Sequence, residues 1–163
     1  MLEGKINEEI QMNIGRYILY LNAINDNPIT LFIDTQGGDT EISLYICDAI
    51  QQSRAEVHGI VTAEALSAGF RILQSCHRRL AYPNALLMFH APTGPSKRCD
   101  AKDWGAFHKD SLALHKEQLD VYATRSKQPL KWLKKWSLQE KRFKAHEAFD
   151  LGFLDEVMTL PKK

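Results

Sequence analysis

Ser67 stands in "TAEALSAGF", among Ala65, Ala68 and Gly69, where an apolar run ends and a helix is expected to begin. His90 follows a second apolar run, "ALLMF". A serine hydroxyl is a poor nucleophile at neutral pH and needs a base within hydrogen-bond reach, usually a histidine that a carboxylate orients. The tetrahedral intermediate then needs backbone N–H donors aimed at its oxyanion, each contributing about 3 kcal/mol. A strand-to-helix turn supplies both. It exposes the hydroxyl, and the first N–H groups of the helix have no partner inside it. Small neighbours leave room for a substrate backbone. Gly37-Gly38, after a further apolar run, offers a second donor, because glycine lets a main-chain N–H face a pocket. Each feature also has a plainer reading: Ser67 as a helix cap, His90 as a half-buried side chain, the glycine pair as a turn.

The elements that must position these residues are legible from periodicity. "LEGKI" alternates like a strand, and "NEEIQMNIGRYILYLNAIND" carries Ile10, Ile14, Ile18 and Leu21 at helical spacing, with Asn7 placed to cap it. "ITLFIDT" and "EVHGIVT" are near-continuous apolar runs, the pattern of strands buried on both faces. "DTEISLYICDAIQQS", with Asp39 or Thr40 at its cap, and "SAGFRILQSC" read as the helices after them. The order β-α-β-α-β-α predicts an α/β fold with a mainly parallel sheet and right-handed crossovers. "RRLAYPNALLMFHAP" reads as two short strands joined at "PN". A loop, "APTGPSKRC", then precedes a long polar helix over about residues 100 to 126. "PLKWLKKW" is a short helix packed by one face, and "AHEAFDLGFLDEV" a helix stopped at Gly152 before a last strand. In open α/β sheets ligands gather at the carboxyl ends of parallel strands, where Gly37-Gly38, Ser67 and His90 all fall.

Composition narrows the class. A chain of 163 residues suits one domain with its own core. A net charge of +1 argues against nucleic-acid binding, which leans on a basic surplus. No run approaches the ~18 apolar residues of a membrane span, and the N-terminus lacks a signal-peptide pattern. Cys47, Cys76 and Cys99 are odd in number and without C-x-x-C spacing, which fits a reducing cytoplasm. The six histidines show no paired metal-ligand spacing, so neither a metal nor a cofactor is expected.

Taken together and in order, these segments resemble the ClpP family, the self-compartmentalising serine peptidases of the S14 type. "LFIDTQGGDTEISLYICDAIQQS" is similar to the family's strand, Ser-Pro-Gly-Gly turn and helix, and "GIVTAEALSAGFRIL" to its nucleophile segment G-x-A-x-S-x-G. "RRLAYPNALLMFHAP" resembles the stretch L-P-N-x-x-x-M-x-H-x-P, and "EKRFKAHEAFDLGFLDEV" the closing D-R-x-x-x-x-A-x-E-A-x-x-x-G-L-x-D-x-V. The resemblance implies a crotonase-like ββα spiral and a handle region over about residues 91 to 136, its long helix joining two homo-oligomeric rings around an internal chamber. Carried over by position, it implies Ser67 as nucleophile, His90 as general base, and the N–H groups of Gly38 and Ala68 as oxyanion hole. Peptides or unfolded proteins would be the substrates.

The sequence also departs from the family pattern. The aspartate position of the triad holds Glu140, longer by one methylene, and it reads either as the third member or as a surface glutamate near a helix start. Thr35-Gln36 replaces Ser-Pro before the glycine pair. Ala63 and Leu66 replace a glycine and an alanine before Ser67, and Leu66 is expected to crowd a substrate strand. The loop after His90 lacks the family's glycine-rich segment. The sequence opens at the family's first strand, without the N-terminal docking segment, which weighs against an AAA+ ATPase partner. Two functions follow: a peptidase acting through a Ser-His-acid triad, or a catalytically impaired ClpP-like subunit with a structural or regulatory role. Fold analogy alone would also allow a CoA-ester enzyme of the crotonase superfamily.

Overall fold

Two apolar runs rich in β-branched residues make the centre of the sheet, since strands buried on both faces suit parallel pairing. They are β2 (Ile29–Gly38) and β3 (Val57–Leu66), and in the computed structural model, which describes residues 1–93 and 103–159, they pair in parallel from Ile29↔Val57 to Thr35↔Ala65. β1 (Leu2–Ile6) joins β2, while β4 (Arg78–Ala81) and then β7 (Glu156–Val157) extend the sheet beyond β3. These pairings are all parallel, in the order β1-β2-β3-β4-β7. The helices α1 (Glu8–Ile24), α2 (Thr40–Gln51) and α3 (Ala68–Ser75) are the crossovers. Asp39 caps α2, its carboxylate accepting from the Ile42 N–H at 3.1 Å. The α/β class and the mainly parallel sheet agree with the sequence expectation.

The strands run further than periodicity indicates. "QGG" stays within β2, and β3 continues through "AEAL" to Leu66. β3 pairs with β4 from His58 to Val61, and then takes β5 (Leu86–Met88) from Glu64 to Leu66. β5 in turn pairs antiparallel with β6 (Arg142–Lys144), a three-residue strand too short to leave a periodic signal. The remaining helices are α4 (Trp104–Ser126), α5 (Leu130–Leu138) and α6 (Ala145–Asp150). Most of the loop expected after His90, Cys99 and the expected first turn of the long helix lie outside the described residues. No helix among the described residues is long and apolar enough to cross a membrane.

Packing ties the core to the turn that bears Ser67. Phe70 of α3 and Phe89, the residue before His90, meet with ring centroids 5.1 Å apart, and Tyr122 of α4 closes on Phe70 edge-on at 5.0 Å. Phe143 and Phe153 complete a buried aromatic cluster, with Trp136 of α5 against both. Trp136 is therefore a packing residue, as the one-face reading of "PLKWLKKW" requires. Arg79 forms a second anchor. It is buried, donates to both Asp155 oxygens at 3.0 and 2.5 Å, and reaches Gln74 Oε1 and Gly152 O. That clasp joins β4, α3 and the C-terminal segment. Burial alone would raise the Asp155 carboxyl, but hydrogen bonds and charge from Arg79 outweigh it and hold the group below its ordinary range.

Two stability predictions follow from these anchors. Phe89→Ala is expected to cost about 3–5 kcal/mol in urea unfolding, the loss typical of an aromatic removed from a closed core. Asp155→Asn leaves Arg79 buried without a counter-charge, and is expected to cost about 2–3 kcal/mol at neutral pH. A depressed carboxylate stabilises above its unfolded pKa and loses that contribution as pH falls through the folded value. The Asp155→Asn deficit, followed by thermal unfolding, should therefore shrink below about pH 4.

Candidate active site

The parallel register that carries β3 onto β5 ends at Leu66↔Met88, and one more hydrogen bond, Ser67 N–H to Met88 O at 2.8 Å, fixes the turn. Ser67 there has φ 55° and ψ −115°, and it precedes the first residue of α3. In the cap position a serine hydroxyl would ordinarily accept from the helix N–H groups. This one makes no such bond. Its Oγ instead lies 2.7 Å from His90 Nε2. The capping reading is thus not what the side chain does.

His90 sits two residues past the end of β5, and the Ala91 N–H bonding to Ser137 O at 3.0 Å secures the segment. Its Nδ1 lies 2.6 Å from Ala91 O. A carbonyl can only accept, so Nδ1 carries the ring proton and Nε2 is the acceptor for the Ser67 hydroxyl. This is the tautomer that a general base requires. Glu140 is not brought to His90. It occupies the turn after α5 at φ 49°, exposed, and makes no hydrogen bond or ion pair among the described residues.

Gly37 has φ 95° and backs directly onto the serine turn. A Cβ there would stand 2.7 Å from Leu66 O, 2.8 Å from Ser67 Cβ and 3.0 Å from Ala68 N, so glycine is required. Gly38 and Ala68 line the same cleft as Ser67 and His90. Leu66, expected to crowd this space, is buried instead and is not part of the cleft wall. The cleft encloses about 1130 Å³. Its far wall is one face of α4, Phe107, Ser111, Leu114 and Gln118, whose spacing repeats with the helical period.

Sequence reasoning passed over that face and over Arg71, which also lines the cleft. Both left a signal: the former in the spacing of mixed residues along a polar helix, the latter as a charge one turn after Ser67. The two described cysteines are poor candidates for a nucleophile. Burial pushes the Cys47 thiol up to about 11, and the Cys76 thiol higher still, which keeps both protonated and inert. A second serine–histidine pair, Ser137 and His115 at 3.2 Å, is a packing contact. Ser137 is buried, and its hydroxyl also donates to Lys134 O.

The Clp protease family model matches residues 1–161. Among solved structures, a mutant of ClpP1 from Listeria monocytogenes is similar at 25% sequence identity with a TM-score of 0.87, over 98% of this chain and 90% of that one. A match that takes in almost every residue, on a fold whose register delivers Ser67 to His90, places this chain in the Clp protease family.

Proposed function

We propose that this chain is a ClpP-like serine peptidase working through a Ser67–His90 pair. Ser67 Oγ attacks the scissile carbonyl carbon as His90 Nε2 takes its proton. The N–H groups of Gly38 and Ala68 receive the oxyanion. His90 then returns the proton to the departing amine, and water hydrolyses the acyl-enzyme by the same steps in reverse. The observation that carries this reading is the 2.7 Å contact between Ser67 Oγ and a His90 Nε2 whose tautomer Ala91 O has set. In this arrangement the Ala91 carbonyl, not Glu140, orients the imidazole.

The reading extends to a ring assembly with the cleft on an internal chamber. In support, α4 runs 23 residues yet buries only Leu119, Tyr122 and Ser126, leaving Trp104, Leu112 and Val121 exposed within the isolated chain. A helix so thinly covered by its own chain suits a handle covered by another copy. Replacing Leu112 by Asp, on the exposed face, should lower the assembly mass in analytical ultracentrifugation while leaving the far-UV circular dichroism unchanged.

Intact-mass labelling with a fluorophosphonate tests the chemistry. The wild type should take a single adduct that disappears in Ser67→Ala, and His90→Ala should slow labelling about 100-fold or more. Glu140→Gln should stay within about threefold of the wild type if the carbonyl orients the ring. A folded, assembled wild type that takes no adduct would overturn the peptidase reading and leave a structural or regulatory ClpP-like subunit.

A further inference from the structure

Arg71 stands one turn beyond Ser67 in α3, its backbone N–H donating to Ser67 O at 3.2 Å. Its side chain enters the wall of the cleft. The guanidinium is half-buried, and its polar partners are all neutral. Nη2 donates to Gln118 Oε1 at 2.9 Å, Nη1 reaches Ser43 Oγ at 3.4 Å, and the Tyr122 hydroxyl lies within its reach. Nε is buried with no acceptor among the described residues. Among the described residues no carboxylate comes within ion-pair distance of it. Arg79 shows the contrast within the same chain, since that buried guanidinium grips Asp155 with a full fork.

A guanidinium withdrawn from water without a counter-charge costs free energy that an incoming carboxylate would recover. The surroundings sharpen that demand. Leu44, Phe107 and Leu114 give the cleft apolar wall and lower its local polarity. The cleft's own carboxylates are otherwise placed. Asp39 is occupied with the cap of α2, Glu41 has interactions of its own, and Asp110 is exposed on α4 without an ion pair to Arg71. Arg71 follows Ser67 by four residues, so it shares the helix face from which the nucleophile projects. In the proposed mechanism this sets Arg71 beside the acyl part of a bound substrate.

We propose that Arg71 makes the cleft select an acidic side chain, on the acyl side of the scissile bond, over an aliphatic or amide one. The carboxylate would take the free guanidinium protons in a charge-assisted pair, with Gln118 and Ser43 holding the fork in place. This rests on the peptidase reading for the meaning of "acyl side", but the recognition itself is a binding property and is tested without turnover.

The test uses the assembled Ser67→Ala protein and three fluorescent peptides that differ only in Glu, Gln or Leu before the scissile position, with affinity read by anisotropy. The Glu peptide should bind at least about tenfold tighter than either of the others, the gain typical of a hydrogen-bonded charge pair. Adding Arg71→Met should erase the difference, and Arg71→Lys should keep part of it. Should Arg71→Met fail to fold, Glu against Gln on the Ser67→Ala protein decides alone, since the two side chains match in size. Equal binding of the three peptides, no binding of any, or a Glu preference that survives Arg71→Met overturns the proposal. Hydrolysis by the unmodified chain separates the two readings. Acid-selective binding without turnover keeps the role of Arg71 and removes the peptidase, while turnover with no acid preference does the reverse.

Discussion

Ser67 is held at φ 55° and ψ −115°, a conformation that an L side chain resists at a cost of about 1–3 kcal/mol. Everything near it is arranged to make that conformation the lowest one available. The bond from its N–H to Met88 O clamps the backbone from one side, and Gly37 leaves just enough space on the other. Phe70, three residues on, is locked among Phe89, Tyr122 and Phe153, so α3 cannot rotate to relax the turn. The same Phe89 fixes the residue beside it, His90. Strain in one residue and the position of its partner are therefore settled by a single cluster of rings.

That arrangement leaves the imidazole with an unusual partner. A carboxylate on Nδ1 would both choose the tautomer and stabilise the imidazolium that forms during acyl transfer. A carbonyl such as Ala91 O can choose the tautomer, and its dipole offers the developing charge less. In the proposed mechanism the pair is therefore aligned for proton transfer by geometry rather than by a fixed negative charge. In that mechanism the Ala68 and Gly38 N–H groups, as oxyanion donors, would take a larger share of the work.

How far the sequence discloses this depends on the range of the interaction concerned. The crossover order, the parallel centre of the sheet, Asp39 as a cap and the convergence of Gly38, Ser67 and His90 all follow from local periodicity and topology. The ends of β2 and β3 do not, because what extends them is pairing with β1 and β5, far away in sequence. β6 exists only because β5 offers it an edge. Leu66 illustrates the same limit. Its bulk beside the nucleophile suggests crowding, yet a strand alternates its faces, and the register that turns Leu66 inward is set by Met88. Motif spacing points to Glu140, but spacing says nothing about where a left-handed turn at φ 49° sends a carboxylate. Arg71 is visible as a charge, but its lack of a counter-ion among the described residues is a three-dimensional fact.

The wall formed by α4 links the site to the core. Its buried residues, Leu119, Tyr122 and Ser126, all lie towards its C-terminal end, where Tyr122 joins the aromatic cluster. Phe107, Ser111 and Leu114, which set the width of the cleft, lie in the half that the chain itself covers least. The Phe107 end of α4 is thus held less by the core than the Tyr122 end. Gln118 sits between the two regimes, bonded to Arg71 and to the Tyr122 hydroxyl. A shift of α4 would reach the Arg71 guanidinium directly through Gln118, whereas Ser67 has no hydrogen bond to that helix among the described residues. In the proposed assembly, a copy covering α4 would therefore bear on what the cleft recognises before it bears on the chemistry.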